Sequence, residues 1–367
     1  YSCFTLIIFK FDERPTQASL LLNLWFGYTF AFIVLKIGLL FTVLFDDIVR
    51  IIEYIGKLVW RVFLNSNQSV EFGSRRKFIG QVGLGLASLP FASMLYGIVV
   101  GKYNYKIKEI SLSFKNLPKA FNNLKIVHIS DIHSGSFDSF EDVQRGVEMI
   151  KAQKPDLVLF TGDLVNNEAK EIEPFKELFG GIKAPLGVFS SLGNHDYGTH
   201  KRWTNNQEKR ENLELLFKHQ KDMGFELLNN THYVLKKDGE ELDIVGVENW
   251  GKPPFPQIGD LSKALDNSNP DNFKILLSHD PTHWDEKVIP HQQHIDLTLS
   301  GHTHGMQFGI EIPGFKWSPS KYIYKRWAGL YKNKKQYLYV NRGFGFLGFP
   351  GRVGIWPEIT VINLLKN

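Results

Sequence analysis

The chain has 367 residues, of which 43% are hydrophobic and 22% charged, and it carries a net charge of +5. That length holds one large globular domain plus something smaller, and that composition excludes intrinsic disorder as the default state. The single cysteine, Cys3, excludes an intramolecular disulfide and a thiolate metal site, while so mild a positive charge favours anionic substrates or membrane surfaces without selecting between them.

The chain opens on Tyr1, and residues 1–9 are almost wholly apolar, which predicts the remainder of a truncated membrane segment. Residues 20–45 carry one charge, Lys36, and one early polar residue, Asn23. The run exceeds the roughly 20 apolar residues that cross a bilayer and is apolar on all faces, unlike a soluble helix. Across 46–73, Ile48, Ile51, Ile52, Ile55, Leu58 and Val59 recur at helical spacing. This fits either an amphipathic helix on the membrane surface or a continuation of the spanning helix. Arg75-Arg76-Lys77 then precede a second uncharged run, 79–101, predicted as another transmembrane helix. Paired arginines there fit a twin-arginine export signal or ordinary positive-inside anchors. Both leave the chain after Gly101 outside, although Lys102, Lys106 and Lys108 reduce the charge asymmetry.

From about Tyr105 the pattern changes, which divides the chain into a membrane-anchoring region, 1–104, and a domain, 105–367. Strands are predicted at 124–130, 156–161, 187–192, 242–247, 273–277, 295–299, 337–340 and 359–364. Helices are predicted at 140–152, 168–179 and 212–223. Pro/Gly-rich stretches at 251–257 and 344–354 read as long loops. Strands alternating with helices imply a layered α/β domain, and in such sheets ligands gather at the carboxyl ends of strands.

Five polar blocks sit at those ends. They are Asp131-Ile132-His133, Gly162-Asp163, Gly193-Asn194-His195-Asp196, Ser278-His279 and Gly301-His302-Thr303-His304. Asp131 and His133, two apart in extended chain, lie on one side and bind one ion together. Asp163 follows a glycine that permits close backbone approach, which suits a bridging carboxylate. Asn194 adds an amide oxygen, and His279, His302 and His304 add nitrogens. Seven ligands make two metal sites sharing Asp163. Alone, each block is weak; the order of all five carries the inference.

This set resembles the calcineurin-like metallophosphoesterase superfamily, whose pattern runs D-x-H, G-D, G-N-H-[DE], H and G-H-x-H. The resemblance covers roughly 124–364. It implies a four-layer α-β-β-α sandwich behind the N-terminal transmembrane helices. It places Asp131, His133, Asp163 and His304 on a first metal, and Asp163, Asn194, His279 and His302 on a second. His195 would face the phosphate and stabilise the leaving group or transition state, with Asp196 orienting it. The layout resembles a bacterial membrane-associated subgroup that includes UDP-2,3-diacylglucosamine pyrophosphatase-like phosphodiesterases. Met306 departs from it, standing where the subgroup commonly has a second glycine.

Motifs and anchor together predict a membrane-anchored hydrolase with two divalent ions, Mn, Fe or Zn, acting on a phosphodiester or pyrophosphate by metal-activated hydroxide. A lipid-linked substrate such as UDP-2,3-diacylglucosamine is favoured because the anchor holds the site beside the bilayer. The expected location is the bacterial inner membrane with the catalytic domain extracytoplasmic. Two alternatives stand: a non-catalytic metal-binding membrane protein of the same fold, and a nuclease or nucleotide phosphodiesterase. The dispersed lysines argue against nucleic acid. His128, His200, His232, His283, His291 and His294 read as surface or structural residues. Arg342 and Arg352 read equally as a clamp for a second phosphate or head group and as solvated loop charges. Phe344, Phe346, Leu347, Phe349 and Trp356 read as lipid-facing or acyl-binding residues, or as a packed loop core.

Overall fold

A computed structural model describes residues 20–64 and 75–367; the apolar run 1–9, with Cys3, and the link 65–74 lie outside the described residues, as do the side chains of Arg75, Arg76 and Lys77. Helix α1 (Leu20–Leu64) is continuous over 45 residues. The stretch after residue 45 therefore continues the first helix up to Leu64. No proline or capping turn interrupts it, and an i,i+4 pair between Asp46 and Arg50, 3.0 Å apart, bridges the point where charge appears. Helix α2 spans Arg75–Val99. Two stretches, Trp25–Trp60 and Phe78–Val99, are long and apolar enough to cross a membrane.

The two helices pair antiparallel through small residues. A Cβ on Gly83 would lie 2.0 Å from Thr42, and one on Gly38 would lie 3.0 Å from Ala87. Such close backbone approach is how helices associate where no water drives them together. Most large side chains on both helices, such as Phe41, Phe45 and Leu86, stay exposed.

Past Gly101 come β1 (Lys106–Phe114), β2 (Leu124–Ile129), α3 (Phe140–Ala152), β3 (Leu157–Phe160), α4 (Lys176–Gly180), β4 (Val188–Ser190), α5 (Asn206–Met223) and β5 (Glu226–Leu227). The chain continues through β6 (Thr231–Lys237), β7 (Glu240–Gly246), α6 (Leu261–Ala264), β8 (Phe273–Leu277), β9 (Leu297–Ser300), β10 (Ile310–Ile312), β11 (Phe315–Trp317), β12 (Gly329–Asn333), β13 (Gln336–Val340) and β14 (Glu358–Lys366). They form two six-stranded sheets, ordered β1-β14-β2-β3-β4-β5 and β12-β13-β9-β8-β7-β6, and a separate β10-β11 ribbon. β2 to β5 run parallel, as do β7, β8, β9 and β13.

Side-chain alternation stacks the layers. Ile126, Leu157, Leu159, Ile275, Leu277 and Leu299 join one core between the sheets. Val127, Ile129, Val158 and Phe160 point the other way, onto Val143, Val147 and Ile150 of α3 and Leu216 of α5. Val245, Leu276 and Leu338 pack outward on Leu261, Trp284 and Val288. Strands buried on both faces read as unbroken apolar runs, which is why they were visible in the sequence. The result is the expected α-β-β-α arrangement.

Three boundaries differ from expectation. The predicted helix 168–179 is a 3-10 segment, Ala169–Phe175, followed by the single turn of α4. Pro174 lacks the N–H that a continuous α-helix needs. α5 begins six residues early because the Asn205 side chain caps it, accepting from Glu208 N at 2.9 Å. The unforeseen strands β1, β5, β6 and β12 lie at or beside sheet edges, where charged residues blur the alternation.

Candidate metal centre

The parallel strands of both sheets end at one place. The turns after β2, β3 and β4 carry Asp131 and His133, Asp163, and Asn194; those after β8 and β9 carry His279, and His302 and His304. Ligand atoms of Asp131, His133 and His304 lie within 4.8 Å of one another, and so do those of Asp163, His279 and His302. His304 Nε2 is 3.2 Å from Asp131 Oδ1 and 3.0 Å from His133 Nε2. Asp163 Oδ2 lies 3.5 Å from His133 Nε2 and 3.1 Å from His279 Nε2, so it faces both groups. Asn194 Oδ1 is 2.9 Å from His302 Nδ1, which adds it to the second group. All seven expected ligand residues converge.

The backbone is bent to achieve this. Asp131, His133, Asp163, His302 and His304 all have positive φ, between 49° and 70°. Left-handed backbone is unfavourable for non-glycine residues, though Asp and His tolerate it better than most, and such outliers collect at functional sites. The glycines of the motifs supply the clearance. A Cβ on Gly193 would lie 2.2 Å from Asp163 Oδ1, and one on Gly301 would lie 2.1 Å from Asp131 Oδ2. Met306, the departure from the subgroup, is also left-handed at φ 51°.

A further shell orients the imidazoles. His279 Nδ1 is 2.6 Å from the Thr161 carbonyl, which turns Nε2 toward Asp163. Asn166 holds two rings, with Oδ1 3.1 Å from His133 Nδ1 and its carbonyl 2.9 Å from His195 Nδ1. Tyr324 Oη meets His302 Nε2 at 2.9 Å, and Asp280 Oδ2 is 3.5 Å from it. Arg352 Nη2 is 3.1 Å from His304 Nδ1. Sequence patterns did not reveal Asn166, Tyr324 or Asp280, and they offered Arg352 only as a phosphate clamp or a solvated charge. Asn166, three residues after Asp163, and Asp280, next to His279, at least stood near a motif.

Asp196 does not orient His195. Its carboxylate turns inward and accepts from the backbone N–H of Gly193, Asp163 and Leu164 at 2.8–2.9 Å, so it ties the β3 and β4 turns together. Asn166 fills the orienting role instead. The His195 ring lies beside the His133 ring, 5.0 Å away between centroids. The His200 ring is tilted against that of His195, 4.5 Å away between centroids, and His200 is exposed, as read from the sequence.

Electrostatics follow from packing imidazoles and carboxylates in a dry site. Burial pushes His133 and His302 down. Burial also opposes protonation of His279, but the Asp163 and Asp131 charges outweigh it and lift it to about 10. Burial and the Asp163 charge raise Asp196 to about 7. His279 Nε2 is buried with no hydrogen-bond partner. An orphaned imidazole nitrogen aimed at a carboxylate, within a mixed N/O donor set, fits a divalent cation. Ligation there requires the His279 proton to leave.

The remaining candidates resolve plainly. Arg342 is buried and pairs with Glu358 and Glu311, so it neither clamps a phosphate nor meets solvent. Arg352 is wholly buried, donating to the Gly343 and Gly345 carbonyls. Phe344 and Phe346 belong to the core. Phe349 and Trp356 instead meet the membrane helices, at Phe30 and Tyr96. His128 is buried on Thr161 Oγ1, and His283 on Ser278 Oγ. His232, His291 and His294 contact Ala264, Ser262 and Asp296, outside the centre.

Comparison with known proteins adds the family. The calcineurin-like phosphoesterase pattern matches residues 124–306, and that of a probable calcineurin-like phosphoesterase transmembrane domain matches residues 1–102. A transmembrane protein with metallophosphoesterase domain from Danio rerio is 29% identical, over 98% of this chain and 76% of its own. The uncharacterized metallophosphoesterase YkuE of Bacillus subtilis is 30% identical, over 79% of this chain and 97% of its own. An uncharacterized metallophosphoesterase of Helicobacter pylori is 27% identical, over 93% and 90%.

Proposed function

The chain belongs to the calcineurin-like metallophosphoesterase family, and from that premise we propose that it is a membrane-anchored, dinuclear metal-dependent hydrolase of a phosphodiester or pyrophosphate bond. One observation carries the reading: Asp163, a member of the second group, also reaches the first, its Oδ2 lying 3.1 Å from His279 Nε2 and 3.5 Å from His133 Nε2. Asp131, His133, Asp163 and His304 would hold one ion, and Asp163, Asn194, His279 and His302 the other. When bound, such ions supply a water made nucleophilic near neutral pH and neutralise the phosphate oxygens. The protein's own part is positioning. The Asn166 carbonyl fixes His195 Nδ1, which leaves Nε2 to donate a hydrogen bond or proton to the departing oxygen. Asp131 accepts the His302 backbone N–H on both carboxylate oxygens at 3.0 Å, which locks the last ligand turn onto the first.

Residues 1–104 act as the anchor and 105–367 as the catalytic domain. Arg75, Arg76 and Lys77 lie at the end of α2 remote from the domain, which favours a cytoplasmic link and an extracytoplasmic site in a bacterial inner membrane. A lipid-linked phosphoester or pyrophosphate, of the UDP-2,3-diacylglucosamine kind, follows from a site held beside the bilayer. The test is hydrolysis of bis(p-nitrophenyl) phosphate with added Mn by the purified full chain, alongside metal content. Two ions per chain and loss of turnover in Asp163→Asn are expected; full turnover in that variant overturns the proposal.

A further inference from the structure

The β10–β11 ribbon is built inside out. Register pairs Ile310 with Trp317, Glu311 with Lys316 and Ile312 with Phe315. Directly paired residues share a face, so Glu311 and Lys316 form one face and the four apolar residues form the other. The charged face is the one turned to the protein. Glu311 pairs with Arg342 at 2.9 Å and Lys108 at 3.3 Å. Lys316 donates to the Ala328 carbonyl at 2.6 Å and lies over the Trp327 ring. The outward face leaves Ile310 50%, Ile312 58% and Phe315 53% exposed. Just beyond, Tyr322 and Ile323 are 73% and 67% exposed. A two-stranded ribbon in water buries its apolar face and solvates its charges; this one does the reverse.

The root of the ribbon lies against the end of the anchor. Phe308 bridges Val353, and Gly309 N donates to the Val353 carbonyl at 2.9 Å. Val353 packs on Gly97, two residues before the end of the apolar stretch Phe78–Val99. On the other helix, Pro350 packs on Gly27 and Phe349 on Phe30, inside the stretch Trp25–Trp60. The loop 349–353 therefore sits at the depth where the helices enter the apolar layer, and the ribbon extends from it. Lys321 and Lys325, both exposed, flank the patch with charge suited to anionic head groups. Trp317 and Tyr322 are residues that favour the interface.

We infer that the outer face of the β10–β11 ribbon, with Tyr322 and Ile323, is a membrane-interface surface that dips into the lipid layer beside α1 and α2. It rests on the reading of those helices as membrane spans. The ribbon begins six residues after His304, so this contact sets the metal centre against the bilayer surface as well as tethering it.

The test uses the full chain in nanodiscs of mixed neutral and anionic lipid, with Cys3 replaced by serine. An environment-sensitive fluorophore is attached at a single cysteine introduced as Ile312→Cys, Phe41→Cys or Asp238→Cys. Position 41 lies in α1 and position 238 in the β6–β7 turn. Blue-shifted emission at 312 and 41, quenched by lipids spin-labelled near the head group at 312 and deeper at 41, with 238 unaffected, is expected. Quenching at 41 with water-like emission at 312 overturns the inference alone. Water-like emission at 41 overturns the membrane reading beneath it. Hydrolysis of the soluble chromogenic ester by each labelled protein shows that it is folded.

Discussion

At the residue scale, Asn166 decides how two imidazoles face the centre. It holds His133 through its side chain and His195 through its carbonyl, and is itself held by Ser136 Oγ, to which Nδ2 donates at 3.0 Å. Asn166→Ala removes the first contact and keeps the second. Because partners behind a metal ligand typically contribute 10–100-fold to affinity or activity, the variant should need about tenfold more Mn for half-maximal turnover. Turnover at saturating metal should change little, since the His195 contact is from backbone. A Mn titration of ester hydrolysis checks both. The seven candidate ligands were legible because each is welded to a motif of two to four residues at a strand end. The roles of Asn166, Tyr324, Asp280 and Arg352 were not, because they depend on which atom a ring presents, a matter of three-dimensional approach. Asp196 shows the same limit: its neighbour in sequence is His195, but its carboxylate is captured by four backbone N–H groups.

At the scale of the element, the interior strands announced themselves and the edges did not. β2 carries one cost inside its apolar run. His128 points between the sheets, its ring 6.3 Å from that of Tyr339, with Nε2 on Thr161 Oγ1 and Nδ1 unpartnered. Burial, against the opposing Glu358 and Asp131 charges, lowers it to about 4 from the ordinary 6.5. The unfolded chain therefore takes up a proton below pH 6.5 while the folded chain refuses it until about 4. This contribution is complete above pH 6.5 and lost as pH falls from 6.5 to 4, by about 3 kcal/mol in all. His128→Gln keeps a partner for Thr161 and does not titrate. Its denaturant midpoint should fall less steeply than that of the parent across that window, and equal slopes would show His128 to be protonated inside the fold. Two other elements were misjudged: Pro174 turns the predicted helix 168–179 into a 3-10 segment and a single turn, and the three-residue strands of the ribbon are too short for periodicity to register.

At the scale of the whole molecule, the N-terminal helices and the metallophosphoesterase domain are joined by more than the chain that links them. The Arg352 N–H donates to the Gly97 carbonyl of α2 at 3.2 Å, while the Arg352 guanidinium reaches His304 Nδ1 and the Gly343 and Gly345 carbonyls. Gly345 N in turn donates to the Asp131 carbonyl at 2.8 Å. One residue thus contacts the last turns of a membrane helix and the ring of an expected ligand. Burial pushes its guanidinium down to about 9, which leaves it charged at neutral pH, so it is held by fixed carbonyls rather than by solvent. The contact depends on the absence of a side chain at position 97, where a Cβ would lie 2.6 Å from the Arg352 carbonyl and 2.8 Å from Val353 Cγ2. Gly97→Leu must displace either the helix or the loop. If the loop yields, Arg352 shifts against His304 and metal binding weakens by about tenfold, although the substitution lies in the apolar span and far along the sequence from every ligand. The measurement is Mn affinity of the full chain in lipid, by calorimetry, beside Gly85→Leu, whose Cβ meets no atom within 4 Å. Weakened binding in Gly97→Leu with parent-like binding in Gly85→Leu identifies the loop as the coupling element. Parent-like binding in both means that the helix end moves freely and that the anchor is only a tether.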